Sequence, residues 1–131
     1  MSDEQLAIMR DAFAAFADGD EDAVLARLSG DFELHDAMVV EDTTALRGPE
    51  ALKRNLARID DAFERISYEP LEFADLGDRI LVRVRVRARG SSSEVDVETE
   101  VAQLWTMRGT EATRLDVFPS WDAARAELGL T

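Results

Sequence analysis

The chain has 131 residues, of which 46% are hydrophobic and 33% charged, and this composition predicts a single globular domain over residues 1–131. A net charge of −13 argues against nucleic acid or an anionic membrane as a partner. The chain has no cysteine, an acidic N-terminus unlike a signal peptide, and no apolar run near the roughly 20 residues of a membrane span, so we expect a cytoplasmic location.

Two helices are predicted before residue 31. A capping-box pattern at Ser2 and apolar residues at helical spacing predict a first helix that ends at Gly19. Asp20 is placed to cap a second, short helix that closes at Ser29-Gly30. The apolar positions of the two helices are Leu6, Met9, Phe13, Phe16, Val24, Leu25 and Leu28.

One strand and the longest helix follow. Residues 31–38 alternate between apolar and polar, which predicts a strand, and residues 39–47 show no period and predict a loop. Pro49 suits the first position of the helix that carries the strongest apolar stripe in the chain. That stripe consists of Leu52, Leu56, Ile59, Phe63 and Ile66.

The second half predicts four strands and a short helix. Residues 68–73 predict a strand, with Pro70 indicating an edge or a bulge. Residues 78–119 predict two successive hairpins, and Ser120 caps a final helix that ends at Gly129. Helices followed by consecutive strands predict an α+β fold with a mostly antiparallel sheet, which can enclose a cavity against the long helix.

The first hairpin alternates valines with arginines on one strand and with acids on the next. A turn at Ser91-Ser92 would pair opposite charges on one face and apolar or threonine side chains on the other. We interpret this as a solvated, salt-bridged face. A binding site for a polyanion on the arginines is not expected, because the neighbouring acids cancel their charge. The predicted pairs are Arg89–Glu94, Arg87–Asp96, Arg85–Glu98 and Arg83–Glu100.

The second hairpin indicates a candidate site. A turn at Gly109-Thr110 would continue the valine face into polar side chains, which are costly to bury unpaired. An amide and a carboxylate would then lie side by side in an apolar cavity. The predicted pairs are Met107–Ala112, Trp105–Arg114, Gln103–Asp116 and Val101–Phe118.

Three segments resemble the SnoaL-like branch of the nuclear-transport-factor-2-like superfamily. They are "AFAAFADGDEDAVLARLSGDFELHDA", "LRGPEALKRNL" and "LDVFPSWDAARAELGL", and the resemblance covers essentially the whole chain. It implies a cone-shaped fold, in which a curved sheet wraps around helices, a pocket opens at one end and a homodimer forms through the outer sheet face. It implies fold better than reaction, because members include isomerases, cyclases, epoxide hydrolases, dehydratases and non-catalytic binders.

The resemblance also suggests site residues. In ketosteroid-isomerase-like members a carboxylate base would fall at Asp36 and a protonated acid at Gln103, but the oxyanion-hole tyrosine would fall near Ala12. In limonene-epoxide-hydrolase-like members Asp116 matches the last aspartate, whereas the two earlier positions are valines. The arrangement that matches best is that of SnoaL-like polyketide cyclases, with an aspartate on the final strand beside a polar residue, here Asp116 beside Gln103.

Each candidate has a structural alternative. Asp116 would be either a pocket acid/base or the ion-pair partner of Arg114. Gln103 would either donate to a substrate carbonyl or simply bond Asp116, and Asp36 would be a base at the pocket mouth or a residue that ends its strand. His35 is the only histidine, and alternation points it away from the cavity, so no metal site built on histidines is expected. The sequence has no glycine-rich phosphate loop or nucleotide motif, so no cofactor site is expected either.

We therefore expect a protein that binds a small hydrophobic molecule. The first hypothesis is an isomerase, cyclase or lyase that acts on a cyclic carbonyl compound with Asp116 and Asp36 as acid/base groups. The alternative is a non-catalytic ligand carrier or a dimeric interaction domain. The expected substrate-binding residues are Gln103, Trp105, Arg114, Phe13, Phe16 and Met38.

A homodimer is predicted independently from the strand pattern. An apolar patch would lie on the sheet face opposite the valines, and large exposed apolar patches mark interfaces. The residues of this patch are Leu81, Ala102, Leu104, Leu115 and Val117.

Overall fold

The computed structural model describes residues 3–36, 47–90 and 96–130, with the backbone alone for residue 36 and residues 58–65. The predicted order of helices and strands is confirmed, and the fold is α+β. In chain order the elements are α1 (Asp3–Ala17), α2 (Glu21–Leu25), β1 (Leu28–Asp36), α3 (Pro49–Ala62), β2 (Phe63–Asp75), β3 (Arg79–Gly90), β4 (Asp96–Arg108), β5 (Glu111–Phe118) and α4 (Trp121–Glu127). The loop predicted over residues 39–47 and the first hairpin turn fall mostly outside the described residues.

The helix starts follow the capping chemistry of the sequence. The Asp20 carboxylate accepts a hydrogen bond from the Ala23 N–H at 3.2 Å, and the Ser120 hydroxyl accepts one from Ala123 at 3.0 Å. Each bond satisfies a backbone donor that the first turn of a helix leaves without a partner.

Strand pairing extends two strands beyond their predicted limits. β1 begins at Leu28 because that residue pairs with Ala112, whose N–H donates to the Arg27 carbonyl at 2.8 Å. β2 begins at Phe63, and Ile66 pairs with Ala88 instead of continuing the stripe of α3. In both places the backbone hydrogen bonds of the sheet prevail over the local pattern.

The five strands form one sheet in the order β1-β5-β4-β3-β2. β1 runs parallel to β5, and the other neighbours are antiparallel. β2 is therefore an edge strand, and Pro70 lies on it beside a register shift, as predicted.

The main core lies between the inner face of this curved sheet and the helices α1 and α3. Each large side chain that is fully buried there contributes about 1.5–3 kcal/mol of hydrophobic stabilisation. The buried residues include Met9, Phe32, Leu34, Leu52, Leu56, Ile80, Val82, Val84, Trp105 and Leu115.

A second, smaller core lies on the outer sheet face under α4. Ala124 of α4 packs there with Leu81, Ala102 and Leu104. The predicted apolar patch is therefore wrong, because α4 covers these three sheet residues, while Leu115 and Val117 belong to the main core. A homodimer stays a prediction, without the support of this patch.

The first hairpin is paired two residues away from the predicted register. The observed pairs are Arg89–Asp96, Arg87–Glu98, Arg85–Glu100 and Arg83–Ala102. Because strand side chains alternate, a shift of two keeps every residue on its predicted face. The shift aligns Ile80 with Trp105 and Leu81 with Leu104, which matches large apolar side chains on both faces.

Opposite charges still meet on this outer face. Arg85 Nε lies 2.9 Å from Glu98 Oε1, Arg89 Nε lies 3.2 Å from Asp96 Oδ1, and Arg83 pairs with Glu100. All of these side chains are partly or largely exposed, so solvent screens the pairs and they set the alignment of the strands more than they stabilise the fold.

Gly48, at the start of α3, is held close to β1. Its φ is +75°, and a Cβ added there would lie 2.8 Å from the Gly30 carbonyl oxygen. Its N–H donates to the Phe32 carbonyl at 2.8 Å. Both the backbone conformation and the lack of space require glycine here.

We expect Gly48→Ala to destabilise the protein more than Gly19→Ala. Gly19 has a similar φ of +84°, but nothing lies within 4 Å of its added Cβ. Gly19→Ala should therefore show only the backbone cost, about 1–2 kcal/mol, and Gly48→Ala a larger loss. Urea denaturation of both variants measures the difference, and equal losses would rule out the steric part.

Candidate functional site

A cavity of about 350 Å³ lies between α1, α3 and the inner face of the sheet. Phe13 and Phe16, two of the expected substrate-binding residues, line it from α1, and Leu52 and Leu56 line it from α3. Most of its wall is apolar. Its polar lining residues are Arg27, Asn55, Tyr68, Thr99 and Gln103.

Strand β4 runs the length of the cavity and shows its depth. Val97, in the lining near the start of β4, is 52% exposed, whereas Met107 near the end of the strand is 5% exposed. The lining on this strand is thus exposed at Val97 and buried at Met107. Gln103 and Trp105 lie nearer to Met107.

Gln103 and Trp105 are two apart on β4 and share the inner face. The indole N–H of Trp105 donates to the Gln103 amide oxygen at 2.9 Å. The strand neighbours of Gln103 are Val82 and Val117, which offer no side-chain hydrogen bond. Within residues 3–36, 47–90 and 96–130, no group accepts from the amide nitrogen of Gln103.

A bulge in β5 sets which of its side chains reach this cavity. Met107 pairs with Ala112, as predicted, but Thr106 pairs with Arg114, so Thr113 is an extra residue without a partner of its own. From there on the register is displaced by one, and the predicted pairs Trp105–Arg114, Gln103–Asp116 and Val101–Phe118 are wrong. The observed pairs are Trp105–Leu115, Leu104–Asp116, Gln103–Val117 and Ala102–Phe118.

The bulge places Asp116 and Arg114 on the outer face, away from the cavity. Arg114 Nε and Nη2 donate to the two carboxylate oxygens of Asp116, each at 2.8 Å. This two-point hydrogen bond raises the pKa of the Arg114 guanidinium above its usual range. The ion pair is thus the alternative that the structure supports for Asp116, and neither residue lines the cavity.

The neighbouring strand β1 extends this outer charged group. Glu33 pairs in register with Arg114, and His35 with Asp116. Glu33 Oε1 lies 3.3 Å from His35 Nε2 and 3.1 Å from Arg47 Nη1. Hydrogen bonds from His35 and then Arg47 lower the pKa of Glu33.

Asp36 lies at a different register position. Its backbone pairs with Val117, which in turn pairs with Gln103, so these three positions form one row across β1, β5 and β4. Positions 36 and 103 are separated by two strand spacings, about 10 Å. The side chain of Asp36 and the whole of Met38 lie outside the described residues.

A family model for the SnoaL-like domain matches residues 9–119. The chain belongs to the SnoaL-like domain family. The sequence-based assignment to this branch of the nuclear-transport-factor-2-like superfamily is therefore confirmed.

Solved structures share the fold of this SnoaL-like chain. An NTF2-like protein from Burkholderia xenovorans is 29% identical with a TM-score of 0.72, over 96% of this chain and 97% of that one. TerC, co-crystallised with polyporic acid, is 21% identical with a TM-score of 0.74, over 95% and 96%. A protein of ketosteroid-isomerase-like fold from Catenulispora acidiphila, in complex with trimethylamine, is 19% identical with a TM-score of 0.74, over 95% and 93%. No curated protein matches the sequence.

The residues that match the enzyme patterns of related proteins lie in different parts of the structure. The positions of the ketosteroid-isomerase-like pattern, Ala12 and Gln103, both line the cavity, and position 36 shares the row of Gln103. The cyclase-like pattern loses its carboxylate, because Asp116 lies on the other face of the sheet. Among the described lining residues there is no aspartate, glutamate or histidine.

Asn55 is a lining residue that the sequence reasoning missed. It is buried and lies between Leu52 and Leu56 in the stripe of α3. The signal in the sequence that could have identified it is a polar residue within an apolar helical stripe. Tyr68 of β2 also lines the cavity, with its ring centroid 5.5 Å from that of Phe16.

In the described part of the chain, no group of three or more histidine, cysteine, aspartate or glutamate residues could hold a metal ion. None of the helices described is long and apolar enough to cross a membrane.

Asp116→Asn should reduce stability modestly through the outer ion pair. Because the Arg114 side chain is 43% exposed and that of Asp116 17%, solvent screens the pair, and we expect a loss of about 1 kcal/mol or less. The loss should shrink in 1 M salt, since screening weakens exposed pairs. Urea denaturation at two salt concentrations measures it.

Glu111→Gln is the matched control for that measurement, because Glu111 is an exposed acid at the start of the same strand. Its effect should be near zero. An equal loss from both variants would show that general charge reduction, and not the pair with Arg114, is responsible.

Proposed function

We propose that this SnoaL-like protein binds a small hydrophobic molecule in the cavity between α1, α3 and the sheet. The observation that carries the proposal is the cavity itself, whose apolar wall is interrupted by a few polar groups. Its volume of about 350 Å³ falls in the range of small-molecule sites. An apolar cavity of this size also counts against the alternative of an interaction domain with a filled interior.

A carbonyl group is the polar feature that the cavity is best suited to receive. The amide nitrogen of Gln103 can donate a hydrogen bond, and the surrounding Val82, Val117 and Trp105 side chains are apolar or already bonded. A ketone or quinone oxygen would satisfy this donor at little cost, whereas a purely apolar ligand would leave it without a partner.

The related structures support a small ligand of this kind. TerC is co-crystallised with polyporic acid, and the protein from Catenulispora acidiphila is in complex with trimethylamine. Both adopt the same fold as this chain over nearly its whole length. They support a small molecule in the cone, and the mostly apolar lining with the donor amide of Gln103 directs the proposal to a neutral cyclic carbonyl compound.

Ala12→Phe should abolish binding, because Ala12 lines the cavity from α1 and a phenyl ring would fill the space. Ala14→Phe is the matched control, since Ala14 is exposed on the same helix. Calorimetric titration with 1-tetralone, 9-fluorenone and a steroid enone should show saturable binding by the wild type and by Ala14→Phe. We expect at least a tenfold weaker affinity for Ala12→Phe.

Two results would contradict the proposal. One is the absence of binding of any of the three ketones by the wild type. The other is equal weakening by Ala12→Phe and Ala14→Phe, which would place the ligand outside the cavity.

A second candidate function is proton transfer on the bound carbonyl compound. The observation that favours it is the row formed by positions 36, 117 and 103. The Asp36 carboxylate would remove a proton from the carbon next to the carbonyl, and the charge that develops on the oxygen would be stabilised by the N–H of Gln103. In a β,γ-unsaturated ketone, return of the proton to the γ-carbon would move the double bond into conjugation and complete an isomerisation.

Asp36→Asn tests this candidate without knowledge of the natural substrate. If Asp36 is the base, the wild type should accelerate exchange of the α-hydrogens of 1-tetralone in D2O, and the variant should lose this by about 100-fold or more. NMR follows the exchange, and Asp116→Asn, on the other face, should retain it. Binding without accelerated exchange by the wild type would leave a ligand carrier as the function.

A further inference from the structure

The indole N–H of Trp105 donates a hydrogen bond in the cavity to the amide oxygen of Gln103, at 2.9 Å. We infer that this bond fixes the amide with its nitrogen towards the ligand, so that the cavity selects hydrogen-bond acceptors over donors of the same shape. The inference rests on the proposed function, because it concerns the ligand that the cavity takes. Trp105 is in this view a positioning residue, which acts through Gln103.

The chemistry of the two groups dictates the orientation. A primary amide can present either its oxygen or its NH2 group, and the two are interchanged by a half-turn of the side chain's end. The indole nitrogen can only donate. Rotating the amide would bring its NH2 against the indole N–H, which breaks the bond and leaves a buried donor without a partner, disfavoured by roughly tenfold or more.

The surroundings keep the indole in place. Trp105 is 8% exposed, its ring centroid lies 6.3 Å from that of Phe32, and its neighbours on the adjacent strands are Ile80 and Leu115. These contacts fix the direction in which its N–H points. A donor held in a packed environment can orient its partner, whereas a mobile one cannot.

The strand neighbours of Gln103 offer no competing interaction. Val82 and Val117 lie on either side of it in the sheet and have no polar side-chain atoms. The indole is therefore the group that decides which end of the amide remains available. The amide behaves as a fixed donor, where an unconstrained glutamine would adapt to either kind of ligand.

This assigns a ligand class. The preferred ligand has an acceptor that carries no hydrogen, such as a ketone, quinone or lactone oxygen, at the position that reaches Gln103. A ligand with an N–H at that position would bring two donors together and lose affinity. Specificity against donors therefore comes from Trp105, although Gln103 makes the contact.

Three tricyclic compounds of nearly the same shape test the selection. At the same ring position 9-fluorenone carries a carbonyl, fluorene a methylene and carbazole an N–H. We expect the wild type to bind 9-fluorenone about 3–10-fold tighter than fluorene, as one net hydrogen bond provides. Carbazole should bind at least tenfold more weakly than 9-fluorenone.

Trp105→Phe should remove the discrimination between acceptor and donor. Without the indole N–H, the amide of Gln103 can rotate to accept from carbazole, so the ratio of the carbazole and 9-fluorenone dissociation constants should fall towards one. Using the ratio cancels the change in cavity size. Trp121→Phe, which alters the tryptophan packed on the outer core, is the matched control and should keep the wild-type ratio.

The outcomes separate the two proposals. Equal wild-type affinities for 9-fluorenone and carbazole would overturn the orientation of Gln103 while the binding function stands. An unchanged ratio in Trp105→Phe would show that the indole does not set the preference, and this too would overturn the inference. Failure of 9-fluorenone to bind the wild type would overturn the inference, and failure of 1-tetralone and the steroid enone as well would contradict the proposed function.

A measurement without ligand tests the hydrogen bond directly. The chain has two tryptophans and therefore two indole N–H signals in a nitrogen-15 NMR spectrum, which Trp121→Phe assigns. Gln103→Met should shift the Trp105 signal and speed its hydrogen exchange, and leave that of Trp121 in place. An unmoved Trp105 signal would overturn the inference even if Trp105→Phe fails to fold.

Discussion

The alternation of side chains across the sheet controls what the cavity contains, and one bulge in β5 sets that alternation. Thr113 is the extra residue, after which Leu115 and Val117 point inward and Arg114 and Asp116 point outward. Without it, the guanidinium and the carboxylate would face the apolar core. Burying that pair would cost several kcal/mol per ion before any attraction is recovered, so the bulge is stabilised by the charges it keeps outside.

The same bulge determines what lies beside Gln103, one of the hydrogen-bond donors that line the cavity. Because Val117, and not Asp116, is the β5 neighbour of Gln103, the amide has no charged group beside it on that strand. The indole of Trp105 is then the partner that the amide oxygen finds. In a low-dielectric site a neutral amide is tolerated more easily than a carboxylate, since only the carboxylate must be desolvated as an ion.

The fold could be predicted from the sequence, but the site could be predicted only in part. Periodicity and caps such as Asp20 and Ser120 are local signals, and they identified the described helices and strands in order. The sheet face on which Asp116 lies depends on a single inserted residue. That residue reverses the alternation of inward and outward side chains without changing the composition of the strand. A requirement that Arg114 and Asp116 remain hydrated would have favoured the observed register, whereas the predicted turn alone could not reveal it.

These constraints also bear on whether the cone is a carrier or an enzyme. A binding site needs shape, apolar surface and one oriented donor, all of which the described residues provide. Proton transfer needs in addition a group that titrates, and in the register of the sheet position 36 shares the row of Gln103. Binding and catalysis would thus use the same amide: as a donor to a ground-state carbonyl in one case, and to the developing oxyanion in the other. In the proposed isomerase the carboxylate of Asp36 would supply that group, whereas a carrier would not need it.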